Sequence, residues 1–198
     1  CNYTMAGQTT GGIVSIEGAG SIVLQDNFLC TSYIDWGSGT VNVNGKSITC
    51  GEFSLTGAGA KTLTLGAGTI NCTIWTYSGS NLTVTANTGI IKVSGTGAFT
   101  GGSITTYNEV QLNGTAHTIS GSNTIKTLRL KPSGQVITFA SGAIQKVRTL
   151  LWDTGTSIKQ DATNITWHVK ETRRNIINGC VTHLCRSSSG GSGTILVD

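Results

Sequence analysis

The sequence predicts an all-β chain built as one solenoid, and three observations carry that prediction. The first is a spacing. An inward-facing apolar residue of a short alternating strand is followed seven residues later by another, from Val43 to Cys50, Leu65 to Cys72, Val84 to Ile91, Leu112 to Ile119 and Leu130 to Ile137. A fixed internal offset with variable lengths between copies suits stacked coils, whose core must be kept while their turns tolerate insertions. The second is composition, because Gly is 28 of 198 residues, Pro only 1 and charged residues only 11%. The third is the alternation of Val, Ile and Leu with Thr, Ser and Asn, which argues for ordered strands rather than a disordered chain. A hydrophobic content of 37% supports a thin, elongated core within a single domain.

Residues 1–12 are polar and contain glycine, and are expected to form an N-terminal arm or cap. The solenoid proper is expected over 13–150. Its first strands are the apolar runs of Ile13 to Leu24, split by the turn Glu17-Gly18-Ala19-Gly20. The spacing assigns Cys30, Cys50, Cys72, Ile91, Ile119 and Ile137 to one core column, with Leu24 to Cys30 a copy one residue shorter. Three residues after each column cysteine stands an aromatic, Tyr33, Phe53 and Trp75. If the cysteines stack, the rings stack too. A buried ring stack is the expectation, and a sugar-stacking platform the functional alternative. The residues between inward positions, Asn42, Thr64, Thr83, Gln111 and Arg129, should form a polar outer column. That column repeats no carboxylate, and its mixture of residues argues against a flat ice-binding array.

Beyond residue 150 the pattern loosens into a divergent section, 151–186. Ile165-x-Trp167-x-Val169 reads as one more strand, and Lys170 to Arg174 as the start of a short helix that Asn175, Asn178 and Gly179 would stop. Residues 187–198 are a Gly/Ser linker and a terminal strand. Ile195, Leu196 and Val197 are expected to pair with an exposed sheet edge, on the chain's own last coil or on a neighbouring subunit.

Six cysteines would suit three bridges, but Cys30, Cys50 and Cys72 fall in the predicted interior, where cysteine acts as a small buried hydrophobe. A reduced ladder is expected there. Cys1, Cys180 and Cys185 lie outside the column and are the disulfide candidates. Only His183 sits close to the last two, short of the four ligands of a structural zinc site, so neither metal nor cofactor is expected.

Net charge is +4 and unevenly placed, with three Lys/Arg against four Asp/Glu before residue 101 and ten against five after it. The basic half suits phosphate, an acidic glycan or an acidic partner. Basic and aromatic residues do not interleave as in a nucleic-acid surface, so nucleic acid is not an expected partner. No apolar run is long enough to span a membrane. Five Asn-x-Ser/Thr triplets, at Asn2, Asn71, Asn81, Asn113 and Asn164, are glycan acceptors only if a glycosylating cell secretes the chain.

Enzymatic signals are thin. Leu150-Leu151-Trp152-Asp153-Thr154-Gly155 has the form of an aspartic-protease loop, but one copy cannot make the shared-proton dyad, and Asp-Thr-Gly is also an ordinary turn. Polysaccharide-cleaving solenoids need clustered carboxylates, and the nine acids here are dispersed. His117, His168 and His183 have no Ser or Cys partner at a recognisable spacing.

The ordered segments SITCGEFSL, TLTLGAGTINCTIW, SGSNLTVTANTGIIKVSG, TYNEV, HTISGSNTIKTLRL and ITFASGAIQKV resemble a repetitive right-handed parallel β-helix family found in phage virion and tail-fibre proteins and in bacterial surface proteins. The resemblance covers roughly residues 20–150. It implies a right-handed parallel β-helix serving as a shaft or attachment scaffold, without shared catalytic residues, in a virion or at a cell surface. It also implies assembly as a homo-oligomer or with other subunits; the basic half and the polar faces make a surface glycan a further candidate partner. The expectation is therefore a non-enzymatic structural protein, with a surface adhesin or filament subunit and a carbohydrate-active enzyme as alternatives.

Overall fold

A computed structural model describes residues 1–78, 81–101, 106–131, 136–139, 144–152, 157–160, 166–174 and 194–196. All described regular structure is strand, and every pairing is parallel, one coil upon the next, in a β-solenoid. Coil by coil, the chain visits three faces. The first coil carries β1 (Asn2–Tyr3), β2 (Thr9–Thr10) and β3 (Val14–Ile16), and the second repeats them as β4 (Ser21–Leu24), β5 (Phe28–Cys30) and β6 (Tyr33–Trp36). In the third, β7 (Gly39–Asn42) is followed by β8 (Ser47–Leu55), which bends to serve both remaining faces by pairing with β5 and β6. β9 (Lys61–Thr64) and β10 (Thr69–Tyr77) repeat this arrangement, and β11 (Leu82–Thr85), β12 (Ile90–Val93) and β13 (Gly97–Thr100) separate the faces again.

The first corner is then rebuilt. In the early coils it is made by left-handed residues, Asn44 and Gly45, then Gly66, then Asn87. From β14 (Thr106–Leu112) onward one bent strand replaces two strands and their turn, as in β16 (Asn123–Leu130), β18 (Ile144–Trp152) and β20 (Thr166–Arg174). The pairing ladder of these strands skips Asn108, Lys126, Arg148 and Lys170, which mark the bend. The third face continues through β15 (Ala116–Ser120), β17 (Val136–Phe139) and β19 (Ser157–Gln160). Successive partners Cys50, Cys72, Val93, Leu112, Leu130, Trp152 and Arg174 are 22, 21, 19, 18, 22 and 22 residues apart, so turn length varies while the strand ladder is kept.

Alternation fills the interior. Ile48, Ile70, Ile91, Val110, Leu128 and Leu150 form one buried column, and Cys50, Cys72, Val93, Leu112 and Leu130 form the next. Several sequence expectations need correction here. Ile91 does not continue the cysteines, because Cys72 pairs with Val93 and Ile91 with Ile70. Ile119 and Ile137 lie on the third face in separate columns, Ile119 opposite Phe99 and Phe139, and Ile137 opposite His117. The seven-residue spacing spans the first corner in the early coils and the second corner in the later ones. Because strands alternate with period two, a shift of two residues carries one inward position to the next, and spacing alone cannot separate the columns.

The outer column also divides. Thr64 pairs with Asn42 and Thr85, Thr83 with Thr62, while Gln111 and Arg129 pair on another face. Residues 1–12 already hold β1 and β2, which pair with β4 and β5, and coil pairing passes residue 150 to reach Arg174. Lys170–Arg174 is strand rather than helix, because in register with β18 it gains a full ladder of backbone hydrogen bonds. The terminal strand β21 (Thr194–Leu196) adds in parallel to the chain's own β20, pairing Thr166 with Thr194, Trp167 with Ile195 and His168 with Leu196. Val197, Cys180 and Cys185 lie outside the described residues, as do Ile165 and residues 153–156 of the aspartic-protease-like loop.

Candidate functional site

The residues with the most reactive chemistry are turned inward. Cys50 and Cys72 pair directly, and Cys30 follows Leu29, the partner of Thr49, so the three thiols sit one above another. All three are buried and free, and Cys1 is free but exposed. The Cys30 Sγ donates to the carbonyls of Gly12 (3.3 Å) and Tyr33 (3.7 Å), and the Cys72 Sγ to that of Lys92 (3.7 Å). Burial pushes the Cys50 thiol up to about 12, reinforced by Cys30 and Glu52, and burial raises Cys72 well above its ordinary value. A buried thiol with a raised pKa is a poor nucleophile near neutrality, which fits a space-filling role for Cys50 and Cys72. Cys50→Val should therefore change stability by less than about 1 kcal/mol, since the same column accepts Val93, Leu112 and Leu130. Chemical denaturation measures this, and a loss of several kcal/mol would show that the thiol does more than fill space.

The aromatic stack is core as well. Phe53 and Trp75 lie face to face, with centroids 5.1 Å apart and planes 5° apart, and Phe99 continues the stack 6.1 Å from Trp75. Trp36 and Tyr107 close on its edges. All five rings are fully buried, so no sugar reaches them. Tyr33 is not a member. It pairs with Glu52, and Ile34 lies opposite Phe53, because the second coil carries one more residue at this corner, where Gly51 N–H donates to the Ser32 carbonyl.

Two buried titratable groups escaped the sequence reading. Lys61 is 1% exposed, and its Nζ donates to the carbonyls of Gly57 and Gly59. Burial pulls its pKa down, with Glu17 and Asp35 pulling it back up. The signal was present in its phase, since Lys61, Leu63 and Leu65 alternate inward together. His117 is 2% exposed, and its Nε2 accepts the Gly114 N–H at 2.9 Å, which leaves a neutral ring capping a tight corner. Burial lowers its pKa, and the Gly97 backbone opposes the shift.

A histidine with a lowered folded pKa binds fewer protons folded than unfolded, so its contribution to stability is complete above the unfolded value of about 6.5 and is lost as pH falls through the folded one. The urea midpoint should therefore drop between pH 7.5 and 5. In His117→Gln, which keeps an acceptor without the titration, the drop should flatten, and an identical pH profile in the two proteins would assign the effect elsewhere.

Among the described residues the outward side chains are mostly hydroxyls and amides, with the carboxylates set apart from one another. On the first face, Thr40, Thr62 and Thr83 form one column, and Asn42, Thr64 and Thr85 the next. Glu52 lies opposite Tyr33 and Ile74, and Asp35 opposite Ser54, two residues further along. Glu109, on a different face, accepts from Arg129 Nε at 3.2 Å and from Gln111 at 2.7 Å. Among the described residues no three His, Cys, Asp or Glu gather as metal ligands, and no helix is long and apolar enough to cross a membrane. No family model, curated protein or solved structure matches the chain. The fold and the surface are therefore the grounds for function.

Proposed function

We propose that this is a non-enzymatic structural protein, a solenoid scaffold of a virion or extracellular assembly, with a phage tail-fibre or virion component as the leading form. One observation carries the reading: the side chains best suited to chemistry, Cys30, Cys50, Cys72, Trp75, Lys61 and His117, are all buried in the stack. The described carboxylates are dispersed over different faces. The segment pattern of residues 20–150 supports the phage form, and a microbial adhesin or filament subunit uses the same scaffold. A carbohydrate-active enzyme is the weakest of the three, since it needs acids brought together by stacking.

Assembly through the N-terminal end is favoured by a specific feature. The first two coils expose Ile13, Leu29 and Tyr3, and an apolar cleft of about 140 Å³ opens among Val14, Ile16, Ile22 and Phe28. An exposed apolar patch on these coils is a surface suited to contact with another subunit. Light scattering and negative-stain microscopy of the purified chain test the reading. Discrete oligomers support the fibre form, open filaments support the surface form, and turnover of any acidic polysaccharide by the purified chain overturns the non-enzymatic assignment.

A further inference from the structure

The basic residues that look scattered in the sequence are aligned by the coil register. Ile125 pairs with Val147 and Val147 with Val169, while Thr127 pairs with Thr149 and Thr149 with Glu171. Between these pairs Lys126, Arg148 and Lys170 occupy one corner position on three successive coils. Beside them, Lys146 pairs with Thr124 on one side and His168 on the other. Adjacent strands lie about 4.8 Å apart, so the corner repeats a cationic position at that interval along the solenoid axis. Lys126, Lys146 and Arg148 are all exposed. Their backbone is held by the buried Ile125, Leu128, Val147 and Leu150, so the array is rigid at its base.

Like charges in register oppose pairing of the strands that carry them. Elsewhere on this sheet a carboxylate takes up a neighbouring cation, as Glu109 on β14 does for Arg129 on β16. At the corner, no carboxylate among the described residues pairs with Lys126, Lys146 or Arg148. Glu109 and Glu171 come closest in register, opposite Thr127 and Thr149, and Glu109 is taken up by Arg129. A polyanion laid along the corner would neutralise these three coils at once.

The geometry points to a binding track for a linear acidic polysaccharide along this corner. The in-register repeat of the corner suits an extended chain with a carboxylate or sulfate recurring along it. Arg148 can hold such a group by two parallel hydrogen bonds, and the lysines act as point charges. Thr124, Thr127 and Thr149 supply hydroxyls beside the cations for the sugar. Single-stranded nucleic acid is bound by stacking bases on exposed aromatics, whereas the residues beside Lys126, Lys146 and Arg148 on β16 and β18 include Thr124, Thr127 and Thr149. The inference goes beyond the scaffold reading and does not depend on it.

The test is calorimetric titration of the full chain with polyglucuronate, heparin, neutral dextran and double-stranded DNA at near-physiological salt, repeated for the two acidic polysaccharides over a series of salt concentrations. Binding to the two acidic polysaccharides is expected, with none to dextran and much weaker binding to DNA. The triple variant K126Q/K146Q/R148Q should bind about tenfold or more weakly and with a shallower salt dependence, because three fewer counterion-releasing contacts form. Its circular dichroism should be unchanged, and its thermal midpoint at low salt unchanged or raised, since the stacked repulsion is gone. R148Q alone should lose affinity severalfold, and the off-track control K46Q/K92Q should lose none. Absence of binding, equal loss in the control, or DNA bound as tightly as polyglucuronate would overturn the proposal.

Discussion

Trp75→Ala is expected to lower stability by about 3–5 kcal/mol, the range for emptying a large buried aromatic site. The loss should reach the upper part of that range, because Trp75 is fully buried and contacts three rings at once, Phe53, Phe99 and Tyr107. Neighbouring coils are locked in register by their strand ladders and cannot collapse into the space. In a stacked protein each coil depends on its neighbours, so damage at Trp75 weakens the coils on both sides. Guanidinium unfolding followed by circular dichroism measures the change without relying on tryptophan emission. Trp75→Phe, which supplies the ring already found at Phe53 and Phe99, should lose far less. If the two substitutions cost the same, the retained ring contributes nothing and the stack is not what holds these coils together.

Gly39→Ala should cost about 3 kcal/mol, at the top of the range for a non-glycine residue forced into left-handed backbone. Gly39 has φ +98°, and an added Cβ would meet the Gly18 carbonyl oxygen at 2.6 Å and that of Gly20 at 2.8 Å. Both atoms are backbone of the preceding coil, and the Gly20 carbonyl already accepts from Thr40 N–H. Relief requires the coils to part. Gly45→Ala separates the contributions, because Gly45 also has positive φ (+72°) but open space where its Cβ would go. It should cost about 1 kcal/mol, from backbone strain alone. Equal losses at the two positions would mean that the coils pack less closely at Gly39 than the structure has them.

The buried cysteines and the alternating strands were legible in the sequence because burial on a strand is a period-two property of local residues. Tyr33 was misplaced because one extra residue at a corner leaves no trace in local alternation. Lys61 was missed because charge suggested solvent, although its phase put it inside. The basic corner was missed for a related reason. Lys126, Arg148 and Lys170 are 22 residues apart and converge only when the coil length is known, and coil length varies from 18 to 22.

Composition and alternation by themselves settled the all-β class, the stacked architecture and the inward face of most strands, since these follow from local hydrophobic pattern and turn residues. Tertiary structure decided which coil lies on which face of its neighbour. It moved Ile91, Ile119 and Ile137 out of the cysteine column, extended the stack from Asn2 to Arg174 and set β21 on the chain's own last coil. The physical reason is that register is a long-range choice, made by the best joint packing of whole coils. A two-residue slip preserves the inward pattern and changes every partner.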